Sequence, residues 1–230
     1  MLAALAGSAA TALIGGCGRS RTRLKFSATL LIDTPSGQRA GTSVLEAVST
    51  SPSSVPLPGD LGSLSLFGEA PFFDFGRGQF LFMILEEDDN PRNLIQLLLD
   101  GLKSGQSIPP LPSDSSQNPL IQSQAIKPSI ALELFQYPRL VTFSDHRSPA
   151  SVREVAPNGI SREFGGGYDL SGIVLQVVDS DIDLTSRIFE VLPWSDSPPE
   201  RRLISANLLG SMPTLAEKLS VRNFVHAGHP

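Results

Sequence analysis

A short run of residues near the N-terminus alternates in a way that only a sheet can use. Leu24, Phe26, Ala28, Leu30 and Ile32 are apolar, and Arg23, Lys25, Ser27 and Thr29 stand between them. A period of two sends successive side chains to opposite faces, so this segment reads as a half-buried strand. Asp33-Thr34-Pro35-Ser36-Gly37 is a turn, with Pro presetting φ and Gly accepting a positive φ. A second strand over residues 40–48 then makes a hairpin. Further strands are expected at 63–67, 69–75, 79–85, 140–143 and 172–178. Residues 79–85 are apolar on both faces, as in a strand covered on both sides.

One helix stands out among these strands. Asn90-Pro91 opens it with a capping oxygen and a proline at the first helical position. Glu86, Glu87, Asp88 and Asp89 precede it, where negative charge suits the helix dipole. Leu94, Ile95, Leu97, Leu98, Leu99 and Leu102 give it a wide apolar face, and Gly105 ends it. Short helices are expected over 184–192, stopping at Pro193-Trp194, and around Thr214 to Leu219, ahead of a loose tail. The reading is α+β: a mainly antiparallel β-sheet of six or seven strands with one main helix packed on it.

The first seventeen residues set the expected location. Met1 to Ile14 carries no charge, and Ile14-Gly15-Gly16 leads to Cys17, the single cysteine of the chain. An apolar run, two small residues and a cysteine is the pattern of a lipoprotein signal, which would make Cys17 the lipidated N-terminus of an exported protein. The run is shorter than the ~20 residues needed to span a bilayer. Two or three acyl chains anchor stably where one does not. The charges are in reverse order for such a signal, since Arg19, Arg21, Arg23 and Lys25 follow the apolar run and none precedes it. A basic segment upstream of Met1 would account for this. The bland alternative is an apolar tail with a buried thiol. Gly18 lacks the Asp that retains many lipoproteins at the inner membrane, which favours the outer membrane. The expected divisions are a signal peptide at 1–16, a lipidated tether at 17–23, an α+β domain at 24–202 with a Ser/Pro-rich loop at 106–128, and a C-terminal segment and tail at 203–230.

Composition narrows the partners. A net charge of −5 argues against nucleic acid, which calls for a clustered basic face. The basic residues at 19–25 would instead meet anionic headgroups beside the anchor. Without a second cysteine no intrachain disulfide forms, and a chain of this length can form a core without one.

Several segments, in order, resemble an uncharacterised family of exported, often lipid-anchored proteobacterial proteins. They run from Leu24-Lys25-Phe26 through Asp33-Thr34-Pro35-Ser36-Gly37, Gly41-Thr42-Ser43-Val44, Gly68-Glu69-Ala70 and Phe80-Leu81-Phe82. They continue with Leu140-Val141-Thr142-Phe143-Ser144-Asp145, Ser148-Pro149-Ala150-Ser151-Val152, Phe164-Gly165-Gly166-Gly167, Leu192-Pro193-Trp194 and Leu215-Ala216 with Leu219. The resemblance implies export and lipidation. It implies no activity and carries over no functional residue.

Candidate chemistry is sparse. Asp179, Asp181, Asp183 and Glu190 occupy positions 1, 3, 5 and 12 of an EF-hand-like loop. Leu184 stands where that loop needs Gly, and a strand precedes it, so acids capping the next helix are the simpler reading. His146 follows Asp145, which could orient an imidazole in a hydrolase, although a polar turn explains the pair as well. Gly165-Gly166-Gly167 lacks the Lys-Ser/Thr of a phosphate loop and reads as a tight turn. Zinc has no ligand set. No catalytic residue, metal site or cofactor is assigned. The expected function is a non-enzymatic binding or scaffolding module of the cell envelope, facing the periplasm, anchored to membrane and engaging an envelope protein. The alternatives are a hydrolase built around His146 and a cation-binding protein.

Overall fold

The computed structural model describes residues 21–50, 63–86, 94–104, 128–198, 200–205 and 212–226. The expected signal peptide, Cys17, the residues expected to cap the helix after Asn90-Pro91 and residues 106–127 of the Ser/Pro-rich loop lie outside them.

The alternation at 24–32 is the centre of β1 (Arg21–Thr34), which pairs along its whole length with β2 (Gly37–Thr50). β1 starts before the expected strand, so the first three described residues, Arg21, Thr22 and Arg23, belong to the sheet and not to a tether. On its other side β1 pairs with β9 (Asp169–Val177), which in turn carries β6 (Ser129–Ala131). β3 (Ser63–Glu69) adds to β2, and β10 (Val225–His226) adds to β3. The result is a six-stranded antiparallel sheet ordered β10-β3-β2-β1-β9-β6. A second sheet holds β4 (Phe72–Gly76), β5 (Gln79–Met83), β7 (Leu140–Phe143) and β8 (Val152–Glu154), in that order.

Among the described residues, ten strands in two sheets thus replace the single sheet of six or seven expected. The additional strands β6, β8 and β10 are two or three residues long. No period can be read from so few residues, and only their partners make them strands.

One core joins the two sheets. Phe26, Leu30, Ile32, Leu45 and Leu66 from the larger sheet meet Phe72, Phe73, Leu81, Phe82 and Val141 from the smaller. The apolar stretch from Leu81 to Leu85 is buried throughout, as its two apolar faces require. α1 (Leu94–Ser104) buries Leu94, Ile95, Leu97 and Leu98. It lies so close to β6 that a Cβ on Gly101 would stand 2.7 Å from Ile130 Cγ2. The remaining described α-helices are short: α2 (Ile160–Phe164), α3 (Ile188–Val191) and α4 (Leu215–Lys218). Thr214 caps α4 in a reciprocal box with Glu217.

Two expectations at the C-terminal side are corrected. The helix expected over 184–192 is confined to α3, because residues 182 and 185 are bound to the large sheet in non-helical conformation. The tail expected after 219 is structured through His226. Phe224 is fully buried, with its ring 6.1 Å from Phe82, 5.7 Å from Phe143 and 5.3 Å from Trp194.

Candidate functional site

The acidic loop after β9 is a strap across the sheet. Lys25 lies on the face opposite Phe26, and its Nζ donates to the Ile182 carbonyl at 2.6 Å. Further on, the Thr185 hydroxyl accepts the Val44 N–H at 3.2 Å. The strap ends at α3, where the Ile188 N–H donates to Glu69 Oε2 at 2.7 Å. Asp179, Asp181, Asp183 and Glu190 are all exposed along this path. Among the described residues no three His, Cys, Asp or Glu side chains gather where they could hold a metal ion. An ion loop must curl so that its carboxylates converge, whereas this chain stays stretched between three anchors.

His146 sits half-buried in a turn after β7. Its ring meets Phe80 edge-on at 5.4 Å, and its carbonyl accepts the Trp194 indole N–H at 3.0 Å. The Asp145 carboxylate accepts the Arg147 backbone N–H at 3.0 Å, an Asx turn. The Ser151 hydroxyl lies 2.7 Å from the Asp145 carbonyl and 2.8 Å from the Ser148 carbonyl, which share its single proton as acceptors. The Asp145 carboxylate and the Ser151 hydroxyl thus both serve the backbone of the turn.

A second histidine, His226, lies in the segment expected to form a loose tail. His226 on β10 places Nε2 3.6 Å from Glu86 Oε2. Asn223 clamps the same corner: its Nδ2 donates to the Glu86 carbonyl at 2.6 Å, while the Leu85 N–H donates to the Asn223 carbonyl at 2.8 Å. Burial holds the His226 imidazole below its ordinary value of 6.5, and the Arg222 charge adds to this. Glu86 and a hydrogen bond with the Arg222 backbone pull the other way without prevailing. Above pH 6.5 the ring is neutral in both folded and unfolded chains. Below 6.5 the unfolded chain takes the proton first, so stability falls until the folded ring is protonated too. His226→Gln removes this contribution. The melting-temperature advantage of wild type over His226→Gln is therefore expected to shrink between pH 7 and pH 5. A constant difference across that range would refute it.

The side chains best placed to meet a partner are Leu134 and Phe135, 65% and 71% exposed. They project from a single 3-10 turn, Leu134–Gln136, that follows β6. The turn is held on both sides. Glu133 N–H donates to Gln136 Oε1 at 2.8 Å, and Gln136 N–H to the Glu133 carbonyl at 2.8 Å. Before it, buried Leu132 bonds the Ile173 carbonyl through its N–H at 2.9 Å. After it, Tyr137 packs against the core, and burial raises the pKa of its phenol although a hydrogen bond with the Ile173 backbone opposes this. Two large apolar side chains are thus presented to water from a fixed backbone. Sequence alone gave no signal for this, because apolar residues default to the core.

No protein-family model matches the chain, and neither a curated protein nor a solved structure matches it.

Proposed function

We propose that this chain is a cell-envelope lipoprotein, anchored through Cys17 to the outer membrane and facing the periplasm. Its α+β domain, with α1 as the main helix, serves as a non-enzymatic binding or scaffolding module. The observation that carries the binding role is the Leu134-Phe135 turn. Its two side chains are exposed, adjacent and held by hydrogen bonds on both sides. Aromatic anchors presented from a preorganised backbone are what interface energetics favour. Augmentation by a partner strand is less well supported. The edge strands of the large sheet, β6 and β10, have three and two residues, too few for a stable added ladder. The resemblance noted in the sequence and the pattern ending at Cys17 support the location.

Two measurements test the two halves of this reading. Intact mass and membrane fractionation of the native protein, beside Cys17→Ser, test the anchor. Loss of residues 1–16, a gain of acyl chains and Cys17-dependent membrane recovery are expected. An unprocessed, soluble wild type would remove the anchor. For the binding role, a photocrosslinking residue placed at 135 in the native envelope is expected to give a discrete adduct that the same residue at Glu190 does not. Equal yields at both positions would remove the turn as the binding element.

A further inference from the structure

The start of β1 lies four residues after Cys17, which fixes one end of the sheet close to anything bound at that cysteine. Four residues reach at most about 14 Å. On the proposed lipidation of Cys17, we infer that this end of the large sheet rests against the bilayer surface, held there by the short tether.

The register defines that end. Arg21 pairs with Thr50, and Thr50 with Ser63, so β1 begins where β2 ends and β3 begins. Leu64, paired with Ser49, is 44% exposed there. The opposite end carries the Pro35-Ser36 turn and, following β6, the Leu134-Phe135 turn, because Ser129 pairs with Gln176 at the level of Ser27 and β6 runs in the direction of β1. β1 is about 40 Å long at a strand rise of ~3.3 Å per residue. The binding turn therefore points away from the membrane.

The described basic side chains near this end, Arg23 and Lys25, are engaged by groups of the protein itself. Arg23 stands 3.6 Å from Glu46, and Lys25 is bound to the strap carbonyl of Ile182 with Asp181 and Asp183 on either side of that residue in sequence. Of the basic run expected to meet anionic headgroups, these two described residues thus stand among acids and add little to a unipolar patch for electrostatic attraction.

The test uses full-length lipidated protein in vesicles. An environment-sensitive fluorophore is attached at Leu64→Cys, at Ser49→Cys as a second near-end position, and at Phe135→Cys. Acylated Cys17 leaves the introduced thiol as the single labelling site. Nitroxide on the lipid headgroups is expected to quench emission at 64 and 49 and to leave 135 unchanged. The same result is expected in vesicles of phosphatidylcholine alone and in vesicles containing phosphatidylglycerol. Vesicle flotation separates the two ideas. Protein that floats but is quenched at 135, or at no position, overturns the orientation and leaves the anchor standing. Protein that does not float overturns the anchor and the orientation with it. Quenching that requires phosphatidylglycerol overturns the tether argument in favour of charge, and crosslinking between copies at 64 identifies the near end as a self-association surface instead.

Discussion

Phe224→Ala is expected to destabilise the domain by about 4 kcal/mol, lowering its melting temperature by roughly 12 °C. The side chain is fully buried and touches three other rings: Phe82 from the smaller sheet, Phe143 beside it, and Trp194. Removing it leaves a cavity lined by stiff aromatic groups that cannot collapse inward, the condition under which large-to-small changes cost most. The same segment ties the two sheets together, since the Ala70 N–H donates to the Phe224 carbonyl at 2.7 Å and Val225 pairs with Glu69. Trp194 is the single tryptophan of the chain, so its emission reports directly on this cluster. Thermal unfolding followed at Trp194 should show the drop, with emission already shifted to the red in the folded variant. Phe135→Ala is the matched control. Its ring is in water, and its removal is expected to change stability by less than about 0.5 kcal/mol. Equal melting temperatures for Phe224→Ala and wild type would show that the segment after Leu219 is not part of the core.

That segment illustrates where a sequence stops being readable. β1 was legible because eight consecutive positions, 23–30, repeat with period two, and 80–85 because an unbroken apolar run needs cover on both sides. The three glycines at 165–167 announced a tight passage, and Gly165 and Gly167 both take positive φ. Phe224 announced nothing. It stands in a short stretch without period, and its place is set by rings from Phe82, Phe143 and Trp194, which are distant in sequence. β6, β8 and β10 are strands only because longer neighbours extend past them. The candidate sites show the same division. Spacing alone made Asp179 to Glu190 look like an ion loop, but ligand geometry depends on how the chain curls, and that is decided by Lys25, Val44 and Glu69. The Leu134-Phe135 turn was silent for the opposite reason: exposure of an apolar residue is a property of the finished fold.

Gly41→Ala should destabilise by about 3 kcal/mol or more, near 10 °C in melting temperature, against the usual trend for such a change. Gly41 lies inside β2, paired with Leu30. Replacing a strand glycine by alanine ordinarily stabilises by ~0.5–1 kcal/mol, because glycine loses the most conformational freedom on folding. Here β4 crosses directly over the position. An added Cβ would meet the Phe72 carbonyl carbon at 2.7 Å and Phe73 Cα at 3.0 Å. Both atoms are backbone, so no rotamer change relieves the clash. Either β2 or β4 must move, and each is fixed: β2 by its full-length pairing with β1, β4 by its ladder to β5 and by Phe72 and Phe73 in the core. The close approach is what lets the two sheets share one core at this corner. Gly166→Ala provides the contrast, because an added Cβ there meets nothing within 4 Å, and its melting temperature should match wild type. If Gly41→Ala instead melts with or above wild type, the crossing of β4 over β2 is looser than the backbone contact requires, and the packing of the two sheets at this corner would have to be redrawn.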